Sequence, residues 1–322
     1  MKSQVTVVIC TFNRYDLLGK AITSIELQDF PEDRYELVIV DNSDDLAGRE
    51  SFLDGLEIAC NHRYFIEERP GLSRARNVGV AAAAGEIVAF IDDDAKATPD
   101  WLAHIVDTFS QHERAAIAGG PVRPIWVTPR PSWLHPRLEP YFSILDRGAT
   151  TRILEPDEWL AGTNIAFRKQ ALKRAGLFPE NLGRIGGLLL SNEELSVSEK
   201  IRELGHDAVY NPKIVVHHRV HAERANQAWL RRRVFWQAIS DLFAEGKATK
   251  QVVTDPDADI HRILDFLDRL APKSRGVMGL FIDLDDPELF ELQTETVAAL
   301  VRHLAGDGGD WRRILATAAD DR

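Results

Sequence analysis

Residues 87–94 read IVAFIDDD, a short apolar run that breaks off into three aspartates. A run of this length, rich in β-branched and aromatic residues, is a buried strand, and the aspartates mark its carboxyl end. Three similar runs precede it: VTVVIC at 5–10, LVIV at 37–40 and YFI at 64–66. Between them lie helical patterns. Over Tyr15–Gln28, Leu17, Leu18, Ala21, Ile22 and Ile25 share one face. Ser73–Ala84 has helix-forming composition, with Ser73 as the expected N-cap. Continuous apolar strands joined by helical crossovers imply an α/β fold, a mostly parallel sheet with helices on both faces.

Beyond Asp94 the pattern is less regular. Pro and Trp are frequent from Pro121 to Pro140, which suggests an irregular connection over the sheet. Leu195–Leu204 reads as a helix closed by Gly205, and Val209–Val216 as a further strand. Asn226–Glu245 is a strong helix carrying Trp229, Leu230, Val234, Phe235, Ile239 and Phe243. His261–Ala318 reads as amphipathic helices with loops at Pro287 and at Gly306–Gly309. The expected organisation is a domain over 1–220, in halves 1–95 and 96–220, followed by a helical region over 221–322.

Composition narrows the function. The chain has 322 residues, 44% apolar and 28% charged, enough for a substantial core. Its net charge of −11 argues against a nucleic-acid partner. Much of that charge lies in the tail, where residues 251–322 hold 15 acidic and 8 basic residues. Two cysteines, Cys10 and Cys60, make no disulfide framework and point to a reducing, cytoplasmic setting. The most apolar long stretch, Val78–Ile91, is interrupted by Gly79, Gly85 and Glu86 and fails as a membrane span. Arg231, Arg232 and Arg233 stand among Trp229, Phe235 and Trp236. Two readings stay open: the basic outer face of a packing helix, and a peripheral contact with anionic lipid at the cytoplasmic membrane face.

Ligands of open parallel sheets bind beyond the carboxyl ends of the strands. Here each early strand ends in polar residues: Thr11-Phe12-Asn13-Arg14, Asp41-Asn42-Ser43, Arg69-Pro70-Gly71 followed by Ser73-Arg74-Ala75-Arg76-Asn77, and Asp92-Asp93-Asp94. Clustered carboxylates repel one another unless a cation neutralises them, and hard oxygen donors suit Mg²⁺ or Mn²⁺. An acidic turn in plain solvent is the simpler alternative. Against it, Arg74 and Arg76 fall in the expected first turn of a helix, where the dipole prefers anions. Cations beside a metal site suit a diphosphate that bridges both.

These segments resemble family 2 glycosyltransferases of GT-A fold. The resemblance is carried by VTVVICTFNR, VIVDNS, RPGLSRARNVGVAAAAGEIVAFIDDD, AGTNIAFRKQAL and NEELSVSEKIRELGHDAVYNPKIVVHH, in that order, over Val5–Arg219. It implies that Thr11 and Arg14 line a donor nucleotide, that Asp41 reads its base, and that Arg74 lies near base and diphosphate. Phe12, Asn77 and Asp93 fall in the same motifs and join the donor-binding set. Asp92 would sit near the ribose and Asp94 on the metal, with His218 beside them and His217 the neighbouring alternative. Relatives place a Glu-Asp pair at the late helix; here Glu193-Glu194 stands there, which makes Glu194 the expected base and Glu193 its alternative. Gly162 and Asn164 fall on the acceptor side.

The resemblance therefore implies an inverting transferase that moves a sugar from a nucleotide-diphosphate donor to an acceptor hydroxyl. The acceptor class stays open among glycan, lipid-linked and protein-linked molecules. A haloacid-dehalogenase-type phosphotransferase would want Thr or Val where Lys96 stands. A nucleotidyltransferase would want a Gly-rich loop after the first strand. A non-catalytic nucleotide-sugar-binding or scaffold protein of the same fold is the remaining alternative, and Asp92, Asp94 and Glu194 argue against it.

Overall fold

The computed structural model describes residues 3–185, 188–245, 265–266, 269–270 and 277–306. The chain divides into two compact units, Met1–Val127 with Phe142–His221, and Thr128–Tyr141 with Ala222–Arg322.

The first unit is built on β1 (Val5–Thr11), β2 (Tyr35–Asp41), β3 (His62–Ile66) and β4 (Ile87–Asp92). Between them run α1 (Tyr15–Glu26), α2 (Leu46–Asp54) and α3 (Leu72–Ala82). Next come β5 (Ala95–Ala97), α4 (Trp101–Gln111), β6 (Ala115–Gly119) and β7 (Val122–Trp126). The unit closes with β8 (Arg152–Ile153), β9 (Ile165–Arg168), α5 (Lys169–Arg174), α6 (Glu193–Glu203), β10 (Asp207–Tyr210) and β11 (Val216–Val220).

Eight strands form one sheet in the order β3-β2-β1-β4-β9-β6-β10-β8. The first four are parallel, as their apolar runs predict. β9 runs antiparallel to both β4 and β6, and β8 antiparallel to β10. The chain steps from β1 outward to β3, then returns to place β4 on the other side of β1. That reversal opens a crevice at the carboxyl ends of β1 and β4. The register sets Thr11 opposite Asp41 and Cys10 opposite Asp92, so the polar clusters meet at one edge.

The strands alternate between two cores. Val5, Val7 and Ile9 face Leu18, Ile22 and Ile25 of α1 and Trp101, Leu102 and Ile105 of α4. Val8, Val38 and Val40 face Ala75 and Val80 of α3, Leu172 of α5, and Val197 and Ile201 of α6. The apolar face read for α1 is the face that is buried. Helix α3 lies so close to the sheet that a Cβ at Gly79 would stand 2.5 Å from Val8 Cγ1, which explains a helical glycine there.

Three expectations in the first unit are corrected. The N-cap of α3 is Gly71 at φ 144, a backbone angle that favours glycine; Ser73 lies inside the helix and donates its hydroxyl to the Leu182 carbonyl. Arg76 accordingly falls in the second turn. The strand read over Val209–Val216 is two strands in different sheets. The chain breaks at Asn211, whose side chain accepts from Lys213 N–H and donates to Thr108, and β11 then joins a three-stranded sheet β5-β11-β7.

The second unit contains α7 (Gln227–Glu245) and α8 (Pro287–Gly306). Pro287 opens α8 rather than a loop; proline lacks only an N–H that a first turn leaves unpaired, and Asp286 caps the N–H groups of Glu288 and Leu289. The Pro- and Trp-rich segment contributes here: Trp133 meets Phe290 edge-on at 5.0 Å, and Arg137 pairs with Glu291. Arg231 bonds the Ile282 carbonyl, Gln293 and Asp283, and Arg233 is buried over the Tyr141 ring. A 3-10 turn over Val277–Leu280 precedes α8, and of the helical reading over His261–Ala318 residues 261–264, 267–268, 271–276 and 307–318 lie outside the described residues. Among the described residues no helix is long and apolar enough to cross a membrane.

Candidate active site

The crevice is floored by Asp92, the last residue of β4, and by the turn Asp93-Asp94 that leads into β5. β11 pairs with β5 so that His218 lies opposite Ala95, and Arg219 N–H donates to the Asp94 carbonyl. This pairing brings the His218 imidazole to Asp94, with Nε2 3.1 Å from Oδ1. His217, one residue earlier on the strand, points to the other face beside Arg123, and burial with that cation pushes its pKa down. Of the two histidines, His218 is therefore the one beside Asp94.

Asp94 is held from both sides. Arg14 Nη1 lies 2.7 Å from Oδ2, and His221 Nε2 3.5 Å from the same oxygen. Burial alone would raise its pKa, but His218, His221 and Arg14 outweigh burial and keep it well below the usual carboxylate range. Asp93 goes the other way. Burial first, then the neighbouring Asp94, push it up to about 7, against Arg14 and a 2.8 Å bond from the Thr11 hydroxyl.

One oxygen each of Asp92 and Asp94 and one nitrogen of His218 lie within 4.8 Å of one another. Two carboxylate oxygens and an imidazole nitrogen form a donor set that fits a divalent cation of the Mn²⁺ or Mg²⁺ kind. His218 Nδ1 is buried without a hydrogen-bond partner.

On the other wall, α6 begins with Glu193 and Glu194. Glu193 is almost wholly buried and accepts a 2.6 Å bond from Arg76 Nη1. Glu194 is half-buried, and its Oε2 is enclosed without a partner among the described residues. Burial, then the charge of Glu193, push Glu194 up to about 8, with Arg76 opposing. Arg76 Nη2 reaches to 3.8 Å from Asp92. A 3-10 turn over Gly162–Asn164 packs against this group. Thr163 Oγ1 accepts from the Asp92 N–H, and a Cβ at Gly162 would stand 2.6 Å from Arg76 Nη2 and 3.2 Å from Glu194 Oε1.

Other residues singled out in the sequence are engaged in holding the walls. Asp41 is fully buried; its Oδ2 accepts from Tyr15, Tyr64 and Arg49, and its Oδ1 from Ser43 N–H. Asn77 exchanges two bonds with the backbone of Phe178. Asn164 is fully buried, accepts from Trp101 Nε1 and donates to the carbonyls of Pro121 and Ile214. Arg74 pairs with Glu180 at 2.9 Å, and Phe12 stays exposed at the mouth of β1. The sequence reading did not single out His221, and it did not foresee that Arg76 faces Glu193 and Asp92. A His three residues past an expected ligand was the available signal for the first.

A doubly wound sheet with an Asp-x-Asp pair at its switch point, and a late strand that returns a histidine to that pair, defines a glycosyltransferase of GT-A fold. The sequence pattern of Glycosyl transferase family 2 matches residues 6–176, more than half of the chain, and the protein belongs to that family. It is 30% identical over 244 residues to a glucosyl-dolichyl phosphate glucuronosyltransferase of Haloferax volcanii, covering 74% of this chain and 76% of that one. It is 27% identical to the succinoglycan biosynthesis protein ExoM of Rhizobium meliloti, over 70% of each chain. Among solved structures it resembles the mannosyltransferase PcManGT of Pyrobaculum calidifontis, in complex with GDP-Man and Mn²⁺. The TM-score is 0.56 and the identity 22%, with 99% of this chain and 80% of that chain covered.

Proposed function

We propose that this glycosyltransferase moves a sugar from a nucleoside-diphosphate donor to a hydroxyl of a glycan or lipid-linked acceptor, with inversion, in glycoconjugate assembly. One observation carries the reading: the Asp92, Asp94 and His218 donors stand at the switch point, and the enclosed Glu194 carboxylate stands on the opposite wall. The relatives support the substrate classes: one is named for a dolichyl-phosphate-linked sugar, another for a polysaccharide, and a protein of like fold holds a nucleotide sugar with Mn²⁺.

In this reading Asp92, Asp94 and His218 hold a divalent ion, which when bound offsets the negative charge of a departing diphosphate. Thr11, Phe12, Arg14, Arg74 and Asp93 line the donor, with Asp41 and Asn77 shaping the pocket behind them. Glu194 takes the proton of the acceptor hydroxyl as it attacks, because a carboxylate with a raised pKa is the stronger base. Inversion needs no protein nucleophile. Cys10, the nearest thiol, is pushed up to about 12 by burial and is no candidate for one. Gly162 leaves room between Arg76 and Glu194 on the acceptor side, and Asn164 fixes that turn. A lipid-linked acceptor would bring the enzyme to a bilayer surface. Arg231 and Arg233 are occupied inside their own unit, which weighs against their forming a lipid-binding face.

The test is a panel of nucleotide sugars with Mn²⁺, read by nucleotide release, with the anomeric configuration of the product read by NMR. Release with an acceptor and an inverted product supports the reading. A retained configuration overturns the single-base mechanism.

A further inference from the structure

Arg76 is the most enclosed arginine or lysine among the described residues of the first unit, and the donor-site roles above leave it without a task. It is 3% exposed. Its guanidinium lies over the rings of Phe90 and Phe178, at 5.8 and 5.5 Å from their centroids. It bonds Glu193 at the head of α6 and faces Asp92 at the end of β4. Burial would discharge it, but Glu193, Glu194 and Asp92 keep its pKa raised. A buried guanidinium held by carboxylates from two elements and by two rings fixes those elements relative to each other.

We propose that Arg76 is a positioning residue that couples the aspartate end of β4 to the carboxylate pair of α6, and that through Glu193 it sets how readily Glu194 takes a proton. The proposal rests on Glu194 being the base. The charged groups that act on Glu194 include Glu193 beside it and Arg76 from α3, and beyond Arg76 stand the Asp92 carboxylate of β4 and the Cys10 thiol of β1. Gly183 packs against the Glu193 carboxylate, with the charged Arg184 next to it in the chain. The 3-10 turn on the acceptor side adds the uncharged Gly162, Thr163 and Asn164. Neutralising Arg76 leaves two carboxylates without their cation, so ionising Glu194 becomes harder. Neutralising Glu193 does the reverse. Two substitutions at one ion pair should therefore move the same titration in opposite directions, which loss of packing does not do.

The experiment records kcat against pH at saturating donor and Mn²⁺ for the native enzyme and for Arg76→Met, Arg76→Lys, Glu193→Gln and Glu194→Gln. Arg76→Met should move the acidic limb upward by about one pH unit, a tenfold loss of ionised base at neutral pH, while donor KM changes less than kcat. Glu193→Gln should move the limb downward, and Arg76→Lys should restore most of the native profile. Limbs that stay in place while activity falls evenly at all pH values overturn the proposal and leave Arg76 a packing residue. If Arg76→Met does not fold, Glu193→Gln decides alone, and an unmoved limb there also overturns it. A Glu194→Gln enzyme with normal turnover removes the base reading and this proposal together. An inactive Glu194→Gln beside unmoved limbs removes only the proposal.

Discussion

The Thr11 hydroxyl donates to Asp93 at 2.8 Å, across the gap between the two strands where the sheet reverses direction. The bond ties the mouth of β1 to the acidic turn after β4 and leaves Asp92 and Asp94, on either side, facing the same point as His218. Alternation along the turn thus gives the middle acid a partner in β1 and turns the outer two toward His218.

Removal of a ligand should be read first in metal binding. Asp94→Ala and His218→Ala should each weaken Mn²⁺ binding, measured by calorimetry without nucleotide, by more than the roughly 10- to 100-fold that an outer hydrogen bond contributes. Chelator should abolish nucleotide release, and added Mn²⁺ should restore it. Unchanged turnover of Asp94→Ala in chelator would end the metal assignment.

Glu194→Gln should lower turnover by about 10²–10⁴ with donor affinity nearly unchanged. The native rate should climb toward pH 8, as the raised Glu194 ionises. Stability has the opposite slope. A carboxyl whose pKa is raised on folding stabilises the protein while protonated, and that contribution is lost as pH rises from the unfolded carboxyl value through about 8. Melting temperatures across pH 5–9 should fall in the native enzyme more than in Glu194→Gln. Parallel curves would show that Glu194 titrates normally.

Asp41→Asn tests a carboxylate enclosed by four donors. Its pKa is lowered because bonds from Ser43, Tyr64 and Arg49 outweigh burial. The stability it supplies is present above the unfolded value and is lost as pH falls through the lower folded one. The substitution should cost about 2 kcal/mol near pH 7, and the gap from native should close in acid. Urea melts at both pH values check this. A variant of native stability that selects a different nucleotide base would instead favour direct base reading.

Asn164→Ala should strand Trp101 Nε1 and two carbonyls in a fully buried position, at a cost of about 3 kcal/mol. At temperatures where the variant is folded, acceptor KM should stay near native. A raised acceptor KM in a stable variant would restore Asn164 to substrate contact.

The half of the fold made of β1 to β4 was legible because each strand is a continuous apolar run, and the acids and hydroxyls after them could point only to one edge of a parallel sheet. β9 was not, since Ile165–Arg168 has the composition of a parallel strand and only the connections around it make it antiparallel. Of the candidate metal cluster, Asp92 and Asp94 were legible from local clustering, but His218 came from resemblance, because its partner strand β5 is three residues long and carries no strand pattern. The partners of Arg76 and Asn77 were hidden for one reason. Their partners, Glu193 and Phe178, lie far along the chain, and a polar residue in a helix shows its sequence neighbours but not who faces it.

The stretch that matches the family ends at residue 176. The histidine on β11 and the carboxylate pair of α6 come after it. A ribosome that has delivered only the matched stretch has therefore made the acidic edge without the histidine and the carboxylate pair that face it. Such a nascent half holds two aspartates of the three-residue cluster, which is complete only when β11 pairs with β5.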